Sequence, residues 1–412
     1  MRRRGKRVDG RAEQWIPPMA GLPEAEADGP IATPRSARGW RAFVPLAPSA
    51  GRPGVDRWLL FVTLLLVAVG IVMIFSASAI RAQDRFGDPM YFLKRQAAGA
   101  AVGLLAMAWA MAWDLKRFQR LTPIIFLVSL LLLLLVLVPG VGSKINGARR
   151  WIRFFGLNFQ PAELAKLAVV LFLSSYFARR QDRLPSFLDG FLPPLLVTGM
   201  MAGLIIVQPN FGTAVILLIT ATVLFYIGQA RVSHMLGTAA VALPALLFLM
   251  LNSTHGRSRI MALFDPSQVS ARATYQMDQS FNALGPGGWL GRGLGNSMQK
   301  LFFLPEAHND FIFAIVGEEV GFVGAMTILL LFVLFLWRGT RIALRAGDPY
   351  ATYLAMGLTT LIVCQAAVNM AVVSGLLPTT GVPLPFLSFG GSSLVVTLVG
   401  TGILLNISRS QA

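Results

Sequence analysis

An all-α polytopic membrane protein, with about ten transmembrane helices, is predicted by three observations on this chain. Apolar residues make up 55% of its 412 residues and charged residues only 13%, about half the charge of a soluble domain. The apolar residues gather in runs that approach the ~20 residues needed to cross a bilayer as helix. Within those runs Leu, Val and Ile follow one another without alternation. In lipid, where every backbone group must be satisfied internally, that pattern selects helices over a closed barrel.

Residues 1–56 are rich in Arg, Pro, Gly and Ala with little apolar periodicity, and are expected to be a disordered basic cytoplasmic tail. The remainder, 57–408, reads as a transmembrane domain. Ten spans are predicted, roughly at 58–76, 93–113, 120–138, 162–178, 192–207, 211–228, 233–251, 311–337, 350–373 and 385–407. An even count puts both termini on one side. The short loops Asp114–Arg120, Ala178–Arg183 and Arg338–Arg345 are basic and share the tail's side, which the positive-inside rule makes cytoplasmic.

Two outer loops break that rule. The loop from Gly140 to Gln160 carries Lys144, Arg149, Arg150 and Arg153; the large extracytoplasmic loop 252–310, between the seventh and eighth spans, carries Arg257, Arg259, Arg272, Arg292 and Lys300. An anionic ligand at the outer face, particularly a phosphate, would account for them. So would a solvated loop or lipid headgroups. The formal net charge of +17 does not indicate nucleic acid, because it flanks apolar runs or sits in the tail and no nucleic-acid motif accompanies it. The lone Cys364 reads as packing, and His234, His255 and His308 are too far apart for a structural zinc site.

The densest chemistry lies at the mouth of the eighth span, Leu304-Pro305-Glu306-Ala307-His308-Asn309-Asp310. A carboxylate at the edge of lipid is costly and needs a partner or a task. Glu318 and Glu319 follow about two helical turns deeper. Asp310, Gly317, Gly321 and Gly324 share a helical face that can receive another backbone closely. At the start of the fourth span, Gln160-Pro161-Ala162-Glu163-Leu164-Ala165-Lys166 sets Glu163 and Lys166 at i, i+3. They are a structural pair or the lining of a polar cavity. Gln208-Pro209-Asn210 is a tight turn between spans. The Gly-rich stretch 281–304 shapes a loop or allows close backbone approach. Pro378, Pro383 and Pro385 break the chain before the last span, where Ser388 and Ser392 serve close packing or a polar cavity wall.

Together these motifs resemble the SEDS family (shape, elongation, division and sporulation), polytopic glycosyltransferases of bacterial cell-wall synthesis. The likeness covers everything after the tail and rests on 160–166, 304–313 and 381–392. Gly293–Leu301 followed by Leu304–His308 is closer to the division member than to the elongation member. The resemblance implies a peptidoglycan glycosyltransferase that polymerises lipid II into β-1,4 glycan strands with inversion. It places the protein at the outer face of the inner (cytoplasmic) membrane, at the division septum. It makes Asp310 the catalytic acid of the family's His-Thr-Asp motif. Asn309 stands where the family has threonine, Asn210 where it has aspartate, and Ala162 where it has serine. Residues expected to bind substrate or line the cavity are Glu163, Lys166, Lys144, Arg149, Arg153, Arg257, Arg292, Lys300, His308, Ser388 and Ser392. No cofactor is required by the sequence, though a divalent cation (Mg or Mn) is admissible. Expected partners are lipid II, membrane lipid, a class B penicillin-binding transpeptidase and other divisome membrane proteins, with no nucleic acid. A lipid-linked oligosaccharide flippase or transporter, or a non-catalytic divisome scaffold, are the competing classes.

Overall fold

The computed structural model describes residues 54–410, apart from 146–147, 155–156, 265–270 and 302. The expected tail, 1–56, lies outside these residues except for its last three. Each predicted span falls on a helix: α1 (Arg57–Phe86), α2 (Tyr91–Ala112), α3 (Leu115–Leu135), α4 (Pro161–Arg179), α5 (Leu192–Val207), α6 (Phe211–Ile227), α7 (Val232–Asn252), α10 (Ile312–Arg345), α11 (Pro349–Val373) and α12 (Gly391–Arg409). Among the described residues eight helices are long and apolar enough to cross a membrane, counting α5 together with the π-helical turn 187–191 that leads into it. The protein is thus a multi-pass helical membrane protein. The other two are α6, apolar but only 17 residues long, and α2, which carries Lys94 and Arg95 near its start.

Aspartates fix three helix starts. Asp56 accepts from Leu59 N at 2.9 Å, Asp114 from Lys116 N at 3.0 Å and Asp348 from Ala351 N at 3.1 Å, each satisfying an orphan donor of a first turn. Asp56 also takes both Nε and Nη2 of Arg338 on α10, joining the start of α1 to the far part of α10. At the centre stand α4, α11 and α12, each lined by buried side chains along most of its length. At the other extreme, α7 has no buried residue.

Four expectations change. The first span runs on to Phe86, because its polar end, Arg81 to Arg85, stays helical until Gly87 caps it in the left-handed conformation. The last helix starts at Gly391, six residues later than predicted, since Pro383 and Pro385 hold the preceding chain out of helix. The outer loop 140–160 is a three-stranded antiparallel sheet, order β1-β2-β3: β1 (Gly142–Ile145), β2 (Ala148–Phe154) and β3 (Leu157–Phe159). Central Ile152 faces Gly142 on one side and Phe159 on the other. The long loop 252–310 contains two helices, α8 (Thr254–Phe264) and α9 (Ala271–Gly287).

α10 is interrupted at Gly321, whose φ of 74° and ψ of −167° suit only glycine. Backbone bonds are supplied there by the Gly-rich loop lying alongside. Arg292 N and Gly293 N donate to Glu318 O and Glu319 O, and Phe322 N and Val323 N donate to Gly288 O and Trp289 O. Gly287 and Gly291 therefore serve close approach to another backbone, and the glycine face of α10 receives it, Gly317 meeting the end of α9.

Candidate active site

The N-terminal mouth of α10 is built from two non-helical segments clasped together. Residues 306–310 form a tight turn in which Glu306 adopts φ 55° and its carbonyl accepts from Asn309 N at 3.0 Å and Asp310 N at 3.2 Å. Against it lies the proline-broken segment 381–389. Phe389 N donates to His308 O at 3.0 Å. Ser388 Oγ donates to Asn309 O at 2.5 Å and accepts from Leu384 N at 2.7 Å. Asn369 of α11 bridges both segments, its Nδ2 donating to Asp310 O and Val382 O at 2.8 Å each.

These contacts frame a cavity of about 220 Å³ whose lining includes Asp310, His308, Glu306, Arg95, Arg150 and Ser392. Asp310 Oδ1 is buried without a hydrogen-bond partner. Its carboxyl is pushed up to about 6, first by burial and next by Glu306, while Arg150 and Arg259 pull the other way. The carboxylate and the two guanidinium groups converge on Gly381. A Cβ built there would stand 3.5 Å from Asp310 Oδ2 and 4.0 Å from a nitrogen of each arginine. Arg150 comes from β2 and Arg259 from α8, so loops 140–160 and 252–310 both reach the acid. Arg259 is anchored by a bond from Nη1 to Thr380 O at 3.1 Å. His308, wedged between Phe92 and Phe389, is lowered to about 4 by burial and by Arg81. It is a neutral imidazole at pH 7.

A second cavity of about 440 Å³ adjoins the first and shares Arg95, Asn158, Glu306, His308 and Phe389 with it. Arg81, Arg85 and Arg153 complete a ring of four arginines with Arg95. Aromatic rings hold two of them, Arg95 over Tyr91 at 4.6 Å and Arg85 over Phe86 at 5.6 Å. The arrangement pairs an unpartnered carboxylate of near-neutral affinity with a multi-arginine anion cradle. The first suits proton abstraction; the second suits phosphate.

The predicted residues divide. Asp310, His308 and Ser392 line the first cavity and Arg153 the second, while Ser388 braces the wall from behind. Glu163 and Lys166 do pair, at 3.0 Å and each 2% exposed, but they lie deeper, beside a void of only about 20 Å³. They reach the site through Gln365, whose Oε1 accepts from Lys166 Nζ and whose Nε2 donates to Pro383 O at 2.9 Å. Two of the predicted cations are held by buried carboxylates instead. Lys300 is buried against Glu319 at 3.0 Å, and Arg292 lies 3.6 Å from Glu318, because buried carboxylates draw the nearest cations. Both are structural partners there and line neither cavity. Arg149 and Arg257 are exposed and line neither cavity. Lys144 is paired with Arg149 across β1 and β2, its side chain lying outside the described set.

Sequence reading missed Arg81, Arg85 and Arg95. They flank the loop between the first two spans, predicted to face outside, so the same rule on basic residues in such loops could have found them. Among the described residues no three His, Cys, Asp or Glu side chains come together to hold a metal ion.

Fold and site define a polytopic membrane protein with an acid and an anion cradle at one end of its helix bundle. Residues 56–412 match the family model of FtsW, RodA and SpoVE, described as "Cell cycle protein", and the chain belongs to that family. It is 43% identical over 355 residues to a probable peptidoglycan glycosyltransferase FtsW of Geobacter sp. (strain M18), covering 86% of this chain and 97% of that one. It is 41% identical over 354 residues to the stage V sporulation protein E of Bacillus subtilis (strain 168), covering 86% and 97%. Among solved structures it resembles, with a TM-score of 0.70 and 30% identity over 87% of this chain and 98% of that one, a chain described under the structural coordination of polymerization and crosslinking by a peptidoglycan synthase complex. The rod shape determining protein RodA of Thermus thermophilus aligns with a TM-score of 0.65 at 30% identity, covering 87% and 97%.

Proposed function

We propose that this protein is a peptidoglycan glycosyltransferase that polymerises lipid II into β-1,4 glycan strands at the outer face of the bacterial inner membrane during septal wall synthesis. The observation that carries the reading is Asp310, a carboxyl poised near 6 whose Oδ1 lies buried without a partner beside a ring of arginines. In the proposed reaction the acceptor sugar's 4-hydroxyl attacks the donor's anomeric carbon. Asp310 takes the hydroxyl proton, a contribution of ~10²–10⁴-fold for a positioned base. The C–O bond to pyrophosphate breaks and the undecaprenyl pyrophosphate departs as an anion. A single displacement inverts the α-linked donor to a β-linked strand. Arg81, Arg85, Arg95 and Arg153 neutralise the leaving group, in the manner of preorganised charge at a developing anion. His308, neutral, contributes packing between Phe92 and Phe389, and its backbone carbonyl holds Phe389 N. Both termini are taken as cytoplasmic, which leaves the cavity on the outer side.

The name of the relatives supports the glycosyltransferase assignment, and the synthase complex among its structural relatives supports a partner that crosslinks, read here as a class B penicillin-binding transpeptidase. The test is incubation of the purified protein, with that partner, with lipid II. Long glycan strands from wild type and none from Asp310→Asn are expected. Substrate crossing the membrane without new glycosidic bonds would favour a flippase, and full activity of Asp310→Asn would remove Asp310 from the base role.

A further inference from the structure

Asn369 lies near the outer end of α11, buried and lining neither cavity of the site. One amide nitrogen holds two carbonyls that belong to opposite walls of the catalytic gap, Asp310 O and Val382 O, at 2.8 Å each. Gln365, four residues earlier and so on the same helical face, holds the next carbonyl, Pro383 O, at 2.9 Å. The segment 381–385 is kept out of helix by its prolines, so its carbonyls depend on such side chains. Between these fixed points sits Gly381, where Asp310 Oδ2, Arg150 and Arg259 converge.

The same amide leaves its Oδ1 buried without a partner. That is a desolvation penalty an apolar side chain of similar size would not carry. Anchoring α11 alone does not account for an asparagine here. What the residue supplies is a set distance between two stretches of backbone.

We propose that Asn369 is a positioning residue for Asp310, holding the acid's backbone against the Gly381 turn so that the carboxylate stays apart from Arg150 and Arg259. The titratable and charged groups around the carboxylate are Glu306 and the neutral His308 from its own segment, Arg150 from β2, Arg259 from α8 and Arg95 from α2. Among the described residues no ion pair closes onto Asp310, although Arg150 and Arg259 are near enough to lower its proton affinity. When the brace is lost the carboxylate moves onto these arginines, which weakens it as a base. This inference rests on the reading of Asp310 as the base, and its test separates the two.

The experiment is lipid II polymerisation by the full-length protein with its transpeptidase partner, followed across pH, with melting temperature measured alongside. Asn369→Leu is expected to lower kcat by roughly 10²-fold, the scale of a misplacement of about 1 Å, with KM unchanged. Its acidic limb should move to lower pH, and its melting temperature should fall only by what two freed carbonyls cost, leaving the protein folded at the assay temperature. Asn369→Gln, which keeps the donor on a longer stem, should recover part of the rate. A wild-type kcat, or a lowered kcat with an unmoved acidic limb, overturns the proposal. If Asn369→Leu melts below the assay temperature, Asn369→Ser is read by the same two criteria. Activity in Asp310→Asn would overturn the base reading itself. Inactive Asp310→Asn beside an unaltered Asn369→Leu overturns only the positioning.

Discussion

Two acidic regions sit within ten residues of one another on α10 and its mouth, and they are opposites. Glu318 accepts from Ser297 Oγ at 2.5 Å and Met298 N at 2.8 Å, with Arg292 beside it. Glu319 accepts from Ser76 Oγ at 2.6 Å, Lys300 Nζ at 3.0 Å and Ser297 N at 3.4 Å. Their oxygens are engaged, and the product of those bonds is a loop fastened to a helix. Asp310 has an oxygen with no partner, a raised proton affinity and arginines held at a distance. Saturation marks the structural carboxylates; an unpartnered oxygen is what the proposed role of Asp310 as base requires.

Mutations can break this contrast. The largest effect is expected from Asp310→Asn, which should abolish polymerisation without lowering the melting temperature. The sign follows from linkage. A carboxyl whose folded value is raised from 3.8 to about 6 contributes stability at low pH that is lost as pH rises through about 6. The asparagine variant should therefore melt no lower than wild type at pH 7, as a thermal scan would show. Lys300→Met should do the reverse. It strands Glu319 as an uncompensated buried charge and should cost about 3–5 kcal/mol, measured by denaturation, while whatever folds retains the wild-type pH profile.

Smaller effects sharpen the comparison. Polymerisation by wild type should rise through an acidic limb near pH 6. Glu306→Gln removes a neighbour that raises Asp310 and should move that limb to lower pH, whereas Arg259→Gln should move it higher; rate measurements from pH 4.5 to 8 decide both directions. Gly381→Ala forces φ +71° onto an L residue and sets a methyl 3.5 Å from Asp310 Oδ2. It should cost roughly 1 kcal/mol in stability and proportionally more in kcat. Least of all, Arg149→Gln should change neither rate nor stability beyond about 0.5 kcal/mol, because that side chain is exposed and lines neither cavity.

How far the residues themselves disclosed this arrangement depends on the range of the interaction. Each predicted span landed on a helix, since hydropathy is a local property. The pairing of Glu163 with Lys166 was readable because i, i+3 is local too, and Asp310 stood out by its cost at the lipid edge. The destination of Lys300 was not readable. It looked like one more outward-facing cation, and only the fold brings Ser76 and Glu319 to it from 224 and 19 residues away. The convergence of Arg150, Arg259 and Gly381 on Asp310 likewise joins β2, α8 and a proline-broken segment, which no spacing rule links. Asn210 illustrates a smaller surprise. Standing where the family has an acid, it is buried with both amide atoms unpartnered, and nothing in the structure explains it.

The interruption of α10 at Gly321 carries a consequence for evolution and engineering. Four backbone hydrogen bonds at that break are made with residues 288–293 of the preceding loop, so a stretch of loop completes a transmembrane helix. A graft that exchanged the large loop between relatives would have to carry those residues with it. Without them the exposed amides and carbonyls would face hydrocarbon, which lipid does not forgive. The boundary between helix bundle and loop is therefore a seam within one helix.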